Sequence, residues 1–134
     1  MTTEGRRPTV IIADDYADMH ALFRRLLEPE FEVVGDVYDG QALLEAIGRL
    51  TPDLILVDVF MPVLGGIEAV QRLKAQSSSV AVVFITADDG QETMRKALNT
   101  GALGFVRKAS AAEDLLPAAQ AVLRGQQFVS GTPS

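Results

Sequence analysis

The 134-residue chain has no cysteine and a single histidine. Without cysteine there can be no disulfide framework, no thiolate zinc site and no cysteine nucleophile, and the chain suits a reducing compartment. Positive charge is also scarce: twelve Lys and Arg stand against eighteen Asp and Glu, a formal net charge of −6. Such a surface repels phosphate backbones and anionic headgroups, which argues against membrane binding or non-specific nucleic-acid binding by this chain alone. Long apolar runs are missing too. The early run Thr9–Ala13 is too short for a signal-peptide core and ends in two aspartates, and no stretch approaches a spanning length, so the expected location is the cytoplasm.

What remains fits one globular domain. At 14.4 kDa with 48% hydrophobic residues, a chain of this size buries about two-thirds of its unfolded surface and needs no covalent staples. Five short segments rich in β-branched or large apolar residues recur about every 20–25 residues, as in alternating strands and helices. They are Thr9–Ala13, Glu32–Val37, Leu54–Val57, Val80–Thr86 and Gly104–Val106. Most are continuously apolar, as strands covered on both faces must be, so a parallel sheet between helical layers is predicted. The second segment, with Glu32 and Asp36, reads as an edge.

Helical periodicity fills the gaps. Met19, Leu22, Phe23, Leu26 and Leu27 line one helix face that Pro29 ends. Leu43, Leu44 and Ile47 mark a second helix, Ile67, Val70 and Leu73 a third, and Met94, Ala97 and Leu98 a fourth. Leu115, Leu116, Val122 and Leu123 mark a fifth, opened by a capping box of Ser110 and Glu113, with Pro117 predicting a kink or an irregular first turn. Gln76–Ser79 and Gly125–Ser134 read as loose stretches.

The strand ends carry the chemistry. Asp14 and Asp15 follow the first strand, Asp58 follows the third, Thr86 closes the fourth and Lys108 follows the fifth. In open parallel sheets ligands bind outside the carboxyl ends at the point where winding reverses, and with strand order 2-1-3-4-5 the three acids converge there. Converging carboxylates either take up protons or hold a cation, and an all-oxygen set selects a hard ion such as Mg²⁺. A carboxylate, a hard cation, a hydroxyl and an ammonium are the parts that phosphoryl transfer needs. Singly, each has a plainer reading: a helix cap for Asp14 or Asp15, a turn for Asp58 before Met61-Pro62, a strand end for Thr86, a solvated Lys108. Together at strand ends they favour phosphate chemistry.

The set Asp14-Asp15, Asp58-Val59-Phe60-Met61-Pro62 with Gly65-Gly66, Thr86-Ala87, Gly101-Ala102, Gly104-Phe105 and Lys108 resembles the receiver domain of two-component response regulators, over residues 8–124. The resemblance implies a flavodoxin-like (βα)5 three-layer α/β sandwich. It implies that Asp58 accepts a phosphoryl group from a sensor histidine kinase, and that Asp15, Asp58 and the Phe60 carbonyl hold Mg²⁺, with Asp14 acting directly or through water. Thr86 and Lys108 match the residues that contact the phosphoryl group, and Phe105 matches an aromatic switch position that remodels the face of helix four, strand five and helix five; plain core packing is its other reading. Many receivers have proline after the lysine; here Ala109 follows. Phe60 is bulky where some members are polar, and the expectation is that it shields an acyl phosphate from water.

The ending Ala121–Ser130 resembles the receiver-to-linker junction of regulators with a LuxR-type helix-turn-helix output domain. The expected division is a receiver at 1–125 and a tail or linker start at 126–134. The receiver then either controls transcription through an output domain outside these residues, which alone would touch DNA, or stands alone and acts through protein partners; homodimerisation on phosphorylation is the family's habit. Catalytic turnover is not expected beyond slow self-phosphorylation and self-dephosphorylation. Two other classes stay on the table. A haloacid-dehalogenase-type phosphatase needs a second acid two residues past its nucleophile, where this chain has Tyr16 or Phe60, and a flavin-binding module needs phosphate-cradling Ser, Thr and Gly where two acids stand. His20 reads as a partly exposed surface histidine, and Arg6-Arg7 and Arg24-Arg25 as solvated charges.

Overall fold

The computed structural model describes residues 6–88 and 90–131; the ends of the expected receiver and tail, residues 1–5 and 132–134, lie outside them, as does residue 89. Strands and helices alternate: β1 (Thr9–Ala13), α1 (Ala17–Leu27), β2 (Glu32–Val37), α2 (Gly40–Leu50), β3 (Leu54–Asp58), α3 (Gly66–Ala75), β4 (Ala81–Thr86), α4 (Gln91–Leu98), β5 (Gly104–Arg107), α5 (Ala111–Leu123) and a short β6 (Phe128–Val129). The sheet is parallel throughout, in the order β2-β1-β3-β4-β5-β6. Its first five strands stand in the predicted order.

Both sheet faces are buried, which is why the central strands are continuously apolar. Val10, Ile12, Leu54, Leu56, Val83, Ile85 and Val106 pack against Phe23 and Leu27 of α1 and Leu115, Ala118 and Val122 of α5. On the other face, Ile11, Ile55, Val57, Val82, Phe84 and Phe105 meet Leu43 of α2, Val70 and Leu73 of α3 and Ala97 of α4. A fully buried side chain such as Phe23 contributes about 1.5–3 kcal/mol. β2 is an edge, and no residue of it is fully buried.

Strand register sets the site. Ala13 pairs with Val57, Asp58 with Ile85 and Thr86 with Arg107. The next residue along β1 and β5 is then Asp14 or Lys108, so Asp14, Asp58, Thr86 and Lys108 form a row along the carboxyl edge of four neighbouring strands. Gly66 lets α3 start close beneath this edge: its N–H donates to the Val59 carbonyl at 2.9 Å, and a Cβ there would lie 2.1 Å from the Asp58 carbonyl oxygen.

Three local expectations are corrected. The capping box does not form, because Lys108–Ser110 wind into a 3₁₀ turn and Ser110 makes no capping hydrogen bond. The irregularity thus sits before α5, while Pro117 lies within an unbroken helix; Pro117 and Glu113, whose carbonyl loses its partner, are both exposed, so water can satisfy it. Nor is the whole 125–134 stretch loose. Phe128 and Val129 pair with Gly104 and Phe105 of β5, and the buried Ser130 hydroxyl donates to Asp114 Oδ2 at 2.7 Å and accepts from the Arg107 N–H at 3.2 Å.

Candidate functional site

Asp14 is fully buried and Asp58 nearly so, whereas Asp15 is exposed. One carboxylate oxygen from each lies within 4.8 Å of the others. Turn geometry aims the two buried ones: the Tyr16 N–H donates to Asp14 Oδ1 at 2.8 Å and the Phe60 N–H to Asp58 Oδ1 at 3.2 Å. Their second oxygens converge on the Lys108 ammonium, 2.8 Å from Asp14 Oδ2 and 3.1 Å from Asp58 Oδ2.

The balance of charge is uneven, with three carboxylates around one ammonium. Burial and the neighbouring Asp14 carboxylate push the Asp58 carboxyl up to about 6, against the Lys108 ammonium and the Phe60 N–H, which pull it down. For Lys108, burial works against the charged form, but the close carboxylates of Asp14 and Asp58 outweigh it and hold its pKa above the ordinary lysine value. Asp14 Oδ2 is buried and, despite the nearby ammonium, lacks a well-directed hydrogen bond. A buried carboxylate oxygen balanced only by that ammonium, amid three carboxylates and with no His or Cys beside them, fits a hard divalent cation.

Thr86 is buried at the end of β4. Its Oγ1 accepts from the Asp88 N–H at 3.0 Å, and among the described residues its hydroxyl proton makes no hydrogen bond. Asp88 is fixed in turn: the Thr93 hydroxyl and the Gly90 N–H hold its carboxyl below the usual range. The Phe60 main chain folds back on Asp58 while the residue as a whole is 58% exposed at the rim. Phe105 is buried in the core against the α4 side of the sheet.

All five strand-end residues are thus brought to one edge. His20, expected as a partly exposed surface histidine, is instead buried, because Nδ1 lies 2.7 Å from Asp36 Oδ1 and Nε2 2.7 Å from the Asp14 carbonyl oxygen. Arg24, expected to be solvated, pairs with Asp36 as well. No periodicity marks these contacts, since Asp36 arrives from a different strand.

A family profile described as the response regulator receiver domain matches residues 10–120. Transcriptional regulatory protein DegU of Brevibacillus brevis is 34% identical over 122 residues, covering 90% of this chain and 52% of that protein. Chemotaxis protein CheY of Halobacterium salinarum is 33% identical over 99 residues, 74% of this chain and 82% of that one. Nitrate/nitrite response regulator protein NarL of Escherichia coli K12 is 32% identical, with 91% and 57% covered. The chain spans about half the length of these two regulators, DegU and NarL. Among solved structures, a LuxR-family two-component response regulator from Aurantimonas sp. SI85-9A1 superposes with a TM-score of 0.88 at 28% identity, over 94% of this chain and 91% of that one. The isolated REC domain of RcsB from Salmonella enterica serovar Typhimurium, solved with the phosphomimetic BeF3⁻, gives 0.86 at 27%, over 94% and 95%. With the profile spanning most of the chain and curated relatives about a third identical to it, this chain belongs to the response regulator receiver domain family.

Proposed function

We propose that Asp58 is the phosphoacceptor of this receiver and takes its phosphoryl group from the phosphohistidine of a sensor kinase. One observation carries the reading: a nearly buried carboxylate at a strand end, paired with Lys108 and crowded by Asp14 and Asp15. In the transfer, an ionised Asp58 oxygen attacks phosphorus, the P–N bond to the imidazole breaks with its electron pair leaving on nitrogen, and a P–O bond forms. Asp15, Asp58 and the Phe60 carbonyl would hold Mg²⁺, with Asp14 acting directly or through water. When bound, the ion spreads negative charge between the carboxylate and the phosphoryl oxygens. Lys108 contacts a phosphoryl oxygen as a point charge and the Thr86 hydroxyl donates to another.

As the Thr86 hydroxyl moves toward the phosphoryl group, Phe105 on β5, two strands from Asp58, turns inward and repacks the α4, β5 and α5 face. The domain, residues 1–125, is a regulatory phosphoacceptor with only slow self-phosphorylation and self-dephosphorylation, acting in the cytoplasm. Its similarity to DegU and NarL supports transcriptional control through an output domain outside these residues, with 126–134 as the linker's start; homodimerisation on phosphorylation is a further part of the proposal. The 82% coverage of CheY favours a second reading, a stand-alone receiver acting by protein contact. Among the described residues no helix is long and apolar enough to cross a membrane.

The test is intact mass after incubation with Mg²⁺ and a small acyl phosphate. A single phosphoryl increment, lost when Mg²⁺ is chelated, is expected; turnover of a phosphomonoester instead would place the chain among phosphatases.

A further inference from the structure

His20 is the chain's one histidine, and it is 6% exposed. Its ring joins two elements to the acidic cluster. Nδ1 meets Asp36 on β2 and Nε2 meets the main-chain oxygen of Asp14; a carbonyl oxygen only accepts, so the Nε2–H donates to it. Arg24 holds the other oxygen of Asp36, and the Tyr38 ring lies against the imidazole with centroids 4.6 Å apart. The ring is therefore held from three sides.

The carbonyl that His20 holds belongs to the peptide joining Asp14 to Asp15. That peptide is planar, so fixing its oxygen fixes the direction in which the Asp15 Cα is launched. Asp14 is pinned elsewhere as well: its N–H donates to the Val37 carbonyl at 3.1 Å and its Oδ1 accepts from Tyr16. Asp15 has no such anchors. It is exposed and makes no hydrogen bond or ion pair among the described residues, so the peptide behind it keeps its carboxylate within 4.8 Å of Asp14 and Asp58.

We infer that His20 is a positioning residue for the acidic cluster: its Nε2–H bond to the Asp14 carbonyl orients the Asp14–Asp15 peptide and so presents the Asp15 carboxylate to the cation. The inference rests on the cation-assisted reading proposed above and adds a residue outside the cluster to it. Groups behind metal ligands tune affinity because they set ligand orientation before the ion arrives.

Two substitutions separate the ring's two contacts. A glutamine amide nitrogen reaches the place of Nε2 and an asparagine nitrogen that of Nδ1, so His20→Gln keeps the bond to Asp14 while His20→Asn keeps the one to Asp36. Mg²⁺ dissociation constants are measured by titration calorimetry, with thermal midpoints alongside. His20→Asn should weaken Mg²⁺ binding about tenfold and His20→Gln less than about threefold. Equal weakening in both, or wild-type affinity in both, overturns the inference, because a merely structural histidine would not distinguish them. Where His20→Asn does not fold, the wild type decides: a solvent-protected Nε2–H proton resonance supports the bond to Asp14, and its absence overturns it. Wild-type protein that binds no Mg²⁺ would overturn the proposed function instead.

Discussion

The Lys108 ammonium lies 3.1 Å from the Asp58 carboxylate across a separation of 50 residues in sequence. It only partly offsets burial and Asp14, which leave Asp58 titrating at about 6. A cation and a proton therefore compete for the same carboxylate. Mg²⁺ affinity should be flat above pH 7 and fall by about tenfold per unit well below pH 6, as measured by calorimetry across that range.

The same raised value affects stability. The folded-state pKa exceeds the ordinary 3.8, so the folded state binds the proton more tightly, and the resulting stabilisation is present below that ordinary value and lost as pH rises through about 6. Without metal, Asp58→Asn should stabilise the protein at pH 7 by about 1–3 kcal/mol and flatten the decline between pH 4 and 6. Urea unfolding at each pH reads this directly.

Phe60 stands exposed at the rim while its N–H touches Asp58. A bulky apolar side chain there keeps water from an acyl phosphate on Asp58, so Phe60→Asn should lose its phosphoryl group severalfold faster. A variant that dephosphorylates no faster removes the shielding role.

Ser130 ties β6 to the sheet through Asp114 and the Arg107 N–H. Ser130→Ala leaves both without that partner and should cost about 1–2 kcal/mol. Hydrogen exchange should quicken at the Phe128 and Ser130 amides, which donate to Leu103 and Phe105, and change little at β1.

The main strands and the site were legible for one reason. A strand buried on both faces must be continuously apolar, so its end shows as the first charged or polar residue; at β1 and β3 that residue, Asp14 or Asp58, lies in the acidic cluster, and at β5 Lys108 comes one residue after Arg107. Parallel register then does what sequence order cannot show, setting Asp14, Asp58, Thr86 and Lys108 in one row. The misses have a common cause in partners that lie far along the chain. His20 flanks an apolar stripe and is buried only because Asp36 and the Asp14 carbonyl meet it. β6 is two residues long, too short for any periodicity, and exists because β5 offers a free edge. Ser110 and Glu113 have capping-box spacing, but the chain leaving β5 enters through a 3₁₀ turn.

The central claim is tested most directly by finding which carboxylate carries phosphorus. After phosphorylation by a small acyl phosphate and Mg²⁺, borohydride reduces an aspartyl phosphate to homoserine, which peptide sequencing by mass locates. The account predicts homoserine at position 58 alone, and none in Asp58→Asn. Homoserine at position 14 or 15, or labelling that survives Asp58→Asn, would contradict it.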